Sequence, residues 1–136
     1  MKFQPCDLDP MVVFKQYVET ALWSTTDDND EPLNKNYSRE DLSSRAYLSM
    51  LTDAVNFLES VQQTEISFDH THKDWGPKEI AEMVGHDFWL TRNGHGAGFW
   101  DGDWKNGDEL TELAKLFGGV DLYVGDDGKV HQLRDF

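Results

Sequence analysis

The stretch HDFWLTRNGHGAGFWDGDW, His86 to Trp104, gathers two histidines, an arginine, three tryptophans and four glycines. The first chemistry this mixture suggests is metal binding. His70, His72, His86 and His95 fall within one third of the chain, and Asp69, Asp87 or Asp101 would complete a donor set. Zinc takes three or four nitrogen, sulfur or oxygen donors near about 2.1 Å. None of the spacings matches a zinc signature such as HExxH, so no metal or other cofactor is expected. Asp101-Gly102-Asp103 opens like a calcium loop. Lys105 at its fifth position and Asn106 where the turn glycine belongs break that pattern, although Glu112 stands at its twelfth. Asn93-Gly94-His95-Gly96-Ala97-Gly98 invites comparison with a phosphate cradle, but the expected order here is helix, glycine loop, strand, and the lysine and hydroxyl of a P-loop are missing. The glycines read instead as a tight, closely packed turn.

Nucleophilic catalysis has thinner support. Ser67, Asp69 and His70 are neighbours without a nucleophile elbow, and Cys6 lies beside Asp7 and Asp9, which disfavour a thiolate. The residues of the block that remain candidates for binding are His86, Arg92, Asn93, His95 and Trp100. Arg92 would pair with a carboxylate or phosphate, either of a ligand or of the protein's own interior.

Charge narrows the partners. With 26 acidic and 12 basic residues among 136, the formal net charge is -14. Direct nucleic-acid binding by phosphate neutralisation is not expected, whereas a basic protein partner suits the charge. The acids most available for such a surface are Asp27, Asp28, Asp30 and Glu31 in an acidic loop at 25–37, together with Asp103 and Asp108. A single cysteine fits a reducing compartment, and neither a leader-like apolar run nor a membrane-length segment is present. A homo-oligomer is compatible with the sequence but not specified by it.

The elements that must position these residues are legible from periodicity. Asp9-Pro10 starts a helix with Val13, Phe14, Tyr17, Val18 and Leu22 on one stripe, ending near Trp23. Ser38 and Asp41 suggest a capped turn. A long helix spans Ser44 to Gln63 with Tyr47, Leu48, Leu51, Ala54, Val55, Leu58 and Val61 inward. Pro77 opens a third helix through Ile80, Ala81, Val84 and Phe88 to about Leu90 or Thr91, with Gly85 an unfavourable residue in its middle. Gly98 to Trp100 is expected as a short strand. Asn106 caps a fourth helix ended by Gly118-Gly119, and Val120–Val124 with Lys129–Leu133 flank the hairpin turn at Asp127-Gly128. The fold expected is α+β over residues 1–136. Several helices pack on a small antiparallel sheet in one compact domain with a carboxy-terminal hairpin, which the Gly98 strand joins as a third member.

HDFWLTRNGHGAGFWD, His86 to Asp101, with DLYVGDDGKVH, Asp121 to His131, and the acidic TTDDND at Thr25 to Asp30, resembles a recurring type of small acidic protein encoded by bacteriophages and prophages. The resemblance covers much of the chain, with little carried by Glu59 to Trp75. It implies a bacteriophage or prophage origin and action in the cytoplasm of a bacterial host, but transfers no activity to particular residues. In that context the leading expectation is an interaction protein that binds or inhibits a basic host protein by mimicking nucleic acid. The alternative is a metal-dependent enzyme or small-ligand-binding domain centred on His86 to Trp100.

Overall fold

The computed structural model describes residues 2–134, which form an α+β fold of four α-helices and two short antiparallel strand pairs. In chain order these are β1 (Lys2–Phe3), α1 (Pro10–Ser24), α2 (Ser44–Gln63), β2 (Phe68–Asp69), α3 (Pro77–Arg92), α4 (Gly107–Lys115), β3 (Val120–Val124) and β4 (Val130–Arg134). Among the described residues no helix is long and apolar enough to cross a membrane.

Local chemistry starts the helices where the sequence places them. Asp9 accepts the Met11 N–H at 2.9 Å, and Pro10 takes the first helical position of α1. Ser43 accepts the Ala46 N–H at 3.1 Å at the start of α2. Pro77 begins α3. Asn106 precedes α4, but its side chain makes no cap; its amide reaches the Ser67 carbonyl instead. The inward face of α2 is rotated from the expected one: Ala46, Met50, Ala54, Phe57, Leu58 and Val61 are buried, while Leu48 is 62% exposed. Aromatic demand sets this rotation, since Phe57 stacks on Phe88 at 4.3 Å and on Phe99 at 5.5 Å.

Gly85 is the device that brings α1 and α3 together. A methyl group there would strike the Val13 carbonyl oxygen and lie 2.9 Å from the Tyr17 nitrogen. Further along the same pair, Thr20 meets His86 and Ser24 meets Trp89. Both helices therefore advance in the same direction and end side by side.

The sheet departs from expectation. Gly98 to Trp100 forms no strand, and among the described residues the hairpin has no third strand: β3 pairs with β4, in register Val120↔Arg134 to Val124↔Val130. The Phe99 N–H is held by Thr91 Oγ1 at 3.0 Å, so this segment is tied to α3 by a side chain instead of to a strand. A second pair, β1 with β2, stands apart from the hairpin. The turn also differs from a two-residue one. Gly125 donates to Lys129 and Gly128, at φ 76°, donates back to Gly125, so the loop is a type I turn closed by a glycine bulge. Val120, Leu122 and Val130 face the single continuous core.

Candidate functional site

A cleft of about 750 Å³ opens where α1 and α3 end. One wall is Ser24 to Thr26, the second is Trp89 with Arg92 to His95, and the third is Gly119 to Leu122 of the β3 edge, with Leu133 beside it. Three of the five expected binding residues, Arg92, Asn93 and His95, are brought together here. His86 and Trp100 are not.

Arg92 is spent on the fold. Its Nη1 donates to Asp53 Oδ2 at 2.7 Å and to the Tyr17 hydroxyl at 3.0 Å, Nε to the Gly118 carbonyl and Nη2 to the Phe117 carbonyl, both at 2.8 Å. The rings of Phe88 and Phe117 flank the guanidinium, and its side chain is fully buried. Of the two readings of Arg92, the internal ion pair is the one observed. Its partner escaped the sequence reading, although an acid at position 53 inside the apolar stripe of α2 was the available signal.

Asn93 is also structural in part: Nδ2 donates to the Trp89 carbonyl at 3.0 Å, and Oδ1 accepts the Val120 N–H at 2.8 Å. His95 is half-buried on the loop, with its N–H on the Leu90 carbonyl. Arg92 is neutralised by Asp53, and among the described residues Asp121 is the other Asp, Glu, Lys or Arg in the lining. The carboxyl ends of α1 and α3 both face the cleft, and each helix end carries partial negative charge.

His86 stands on α3 against α1. Gln16 Nε2 donates to Thr20 Oγ1 at 3.2 Å, and Thr20 Oγ1 lies 2.8 Å from His86 Nδ1. Thr20 and the His86 ring thus share a hydrogen bond that ties α1 to α3. Burial holds the His86 pKa below its ordinary value, against a smaller opposing effect of Asp101. Trp23 lies over His86 with ring centres 6.2 Å apart, and both Trp23 and Trp100 are about half exposed, at 54% and 48%.

On the other side of α3, a polar seam surrounds Trp104. Asp87 Oδ2 accepts the Trp104 Nε1–H at 2.7 Å. Burial pushes the Asp87 carboxyl up to about 7; the Trp104 bond opposes this, while Asp101 and Asp103 add to it. His70 packs edge-on to Trp104 at 4.7 Å and stacks on Trp75, which His72 also stacks on. Its Nδ1 accepts the His72 N–H at 2.9 Å, and burial lowers its pKa. Among the described residues no three His, Cys, Asp or Glu side chains converge to hold a metal ion. The clustering of histidines in sequence thus separates into sites at Trp104, at Thr20 and in the cleft.

The acidic loop is a built turn. Asp27 Oδ1 accepts the N–H groups of Asn29 and Glu31 at 2.8 and 3.0 Å, Asp30 adopts φ 60°, and Glu31 pairs with Lys35 at 2.9 Å. Asp28 and Asp30 are its outward acids. The loop leaves the cleft wall at Thr26. Asp103, next to Trp104, and Asp108, in the first turn of α4, are exposed, and none of the six expected acids is itself in the cleft lining. Of the glycines, Gly94 has φ 70° and Gly98 is pressed against Thr91, whereas Gly96 has open space around it and needs no missing side chain.

No match to this chain is found among protein-family models, curated proteins or solved structures.

Proposed function

We propose that this protein acts by binding, holding a positively charged segment of a partner protein in the cleft between the carboxyl ends of α1 and α3. The observation that carries the reading is the parallel course of these helices. Two negative helix ends meet at one opening, and the arginine in its lining, Arg92, is already neutralised by Asp53. Asp121 in the lining and Asp28 and Asp30 on the adjoining loop extend the same sign outward. A net charge of -14 speeds encounter with a basic partner and repels other polyanions.

The likeness to phage-encoded proteins makes a basic protein of the bacterial host cytoplasm the natural candidate. Occupying the surface with which such a protein meets nucleic acid would make this chain an inhibitor. Capture from a bacterial lysate tests the reading when wild type is compared with Asp121→Lys and with Asp108→Lys, each checked for folding by circular dichroism. A specific basic partner should be lost with Asp121→Lys and retained with Asp108→Lys. Equal recovery of that partner by all three proteins would remove the cleft from the account.

A further inference from the structure

We infer that the partner's segment binds as an added β-strand along the outer edge of β3, an inference that rests on the cleft reading above. The hairpin closes with the Gly125 N–H on the Lys129 carbonyl at 2.9 Å. Antiparallel alternation then makes Tyr123/His131 and Asp121/Leu133 the hydrogen-bonded pairs, and turns the N–H and C=O groups of Val120, Leu122 and Val124 away from β4. Two side-chain contacts agree with that direction: the Val120 N–H reaches Asn93 Oδ1 at 2.8 Å, and the Leu122 N–H reaches Asp121 Oδ1 at 2.9 Å. Among the described residues the Val124 N–H has no partner, and no other strand pairs with β3. The opposite edge of the hairpin is met at Val130, whose carbonyl accepts the Ser43 N–H.

Val120, Asp121 and Leu122 line the cleft, so one of its walls is a strand edge, and a strand added there takes over the Leu122 N–H from Asp121 while Asn93 keeps that of Val120. An edge of this kind is a template for backbone pairing, and alternate side chains of the added strand fall on opposite faces. Those on the outer face would stand beside Asp121 and the half-exposed ring of Tyr123, which together accommodate a lysine or arginine by charge and by cation–π contact. Those on the inner face would be turned toward Trp89 and Asn93 at the cleft wall. The occupant is thus an extended segment with basic residues at alternate positions. A second copy of this chain is disfavoured as occupant by its own charge of -14.

The probe is a short peptide of alternating lysine and threonine, compared with the same peptide N-methylated on alternate residues. The readout is amide hydrogen exchange at Leu122 and Val124, with backbone chemical shifts around the cleft. The alternating peptide should slow exchange at both amides about tenfold or more, while the N-methylated peptide, equally cationic, should shift cleft resonances without that protection. Cleft shifts with unchanged Leu122 and Val124 exchange would overturn strand addition and leave the charge reading standing. No shift anywhere in the cleft would overturn both. Protection that rises with protein concentration in the absence of peptide would assign the edge to a second copy instead.

Discussion

Asn93 Oδ1 accepts the Val120 N–H at 2.8 Å, so the side chain that ends α3 stands where a neighbouring strand would pair with the first residue of β3. It joins the helical layer to the hairpin at the cleft wall. Asn93→Ala should cost about 1–3 kcal/mol, because it leaves a half-buried N–H without its acceptor. Urea denaturation checks the magnitude, and exchange at the Val120 amide should accelerate with it. Stability within half a kilocalorie of wild type would show that the bond contributes nothing to the junction.

Arg92 and Asp53 carry the interior end of the same junction. Removing the acid's partner while leaving the acid buried is the costly change, and Arg92→Met should destabilise by about 3–5 kcal/mol. The loss includes the bonds to the Phe117 and Gly118 carbonyls, so Arg92→Lys should recover only part of it. Thermal and denaturant unfolding of both variants tests this order.

The contact of Gly85 with α1 predicts a third effect. Gly85→Ala adds helix propensity, yet its methyl group would meet backbone, not a movable side chain. The expected net change is a loss of about 1–3 kcal/mol. A stabilised variant would mean that the two helices do not approach as closely as described.

Asp87 gives a pH signature. Its folded pKa, about 7, lies above the ordinary carboxyl value, so the folded state holds a proton that the unfolded chain releases. The associated stability is full below about pH 4, and is lost as pH rises through 7. Asp87→Asn retains an oxygen to accept the Trp104 N–H and cannot ionise. It should therefore gain on wild type between about pH 4 and 7, by about 1.4 kcal/mol for each unit the pKa is raised, and hold that gain above pH 7. A stability difference independent of pH over this range would contradict a buried, protonated Asp87.

The helices were legible because their signals are local: Asp9-Pro10 and Pro77 mark starts, and apolar spacing marks the extent of α2. The hairpin was legible from alternation around Asp127-Gly128, whereas its turn type depended on how Gly125 and Lys129 pair across it. The short strand expected at Gly98 to Trp100 failed because Thr91, not a strand, satisfies the Phe99 N–H. The rotation of α2 follows from Phe57 meeting Phe88 and Phe99, contacts between residues distant in sequence. At the candidate site, Arg92, Asn93 and His95 stood out by type, yet their shared cleft depends on α1 and β3. Nothing local to the block says that Ser24, Thr26 and Asp121 face them, or that Asp53 takes up the arginine's charge.

The central claim is that the cleft receives positive charge, and backbone resonance mapping during titration with the alternating lysine–threonine peptide tests it most directly. The account predicts shifts concentrated at Ser24 to Thr26, Asn93 to His95 and Gly119 to Leu122, weakened by added salt and lost in Asp121→Lys. Shifts concentrated at Asp103 and Asp108, or a pattern unchanged by Asp121→Lys, would contradict it.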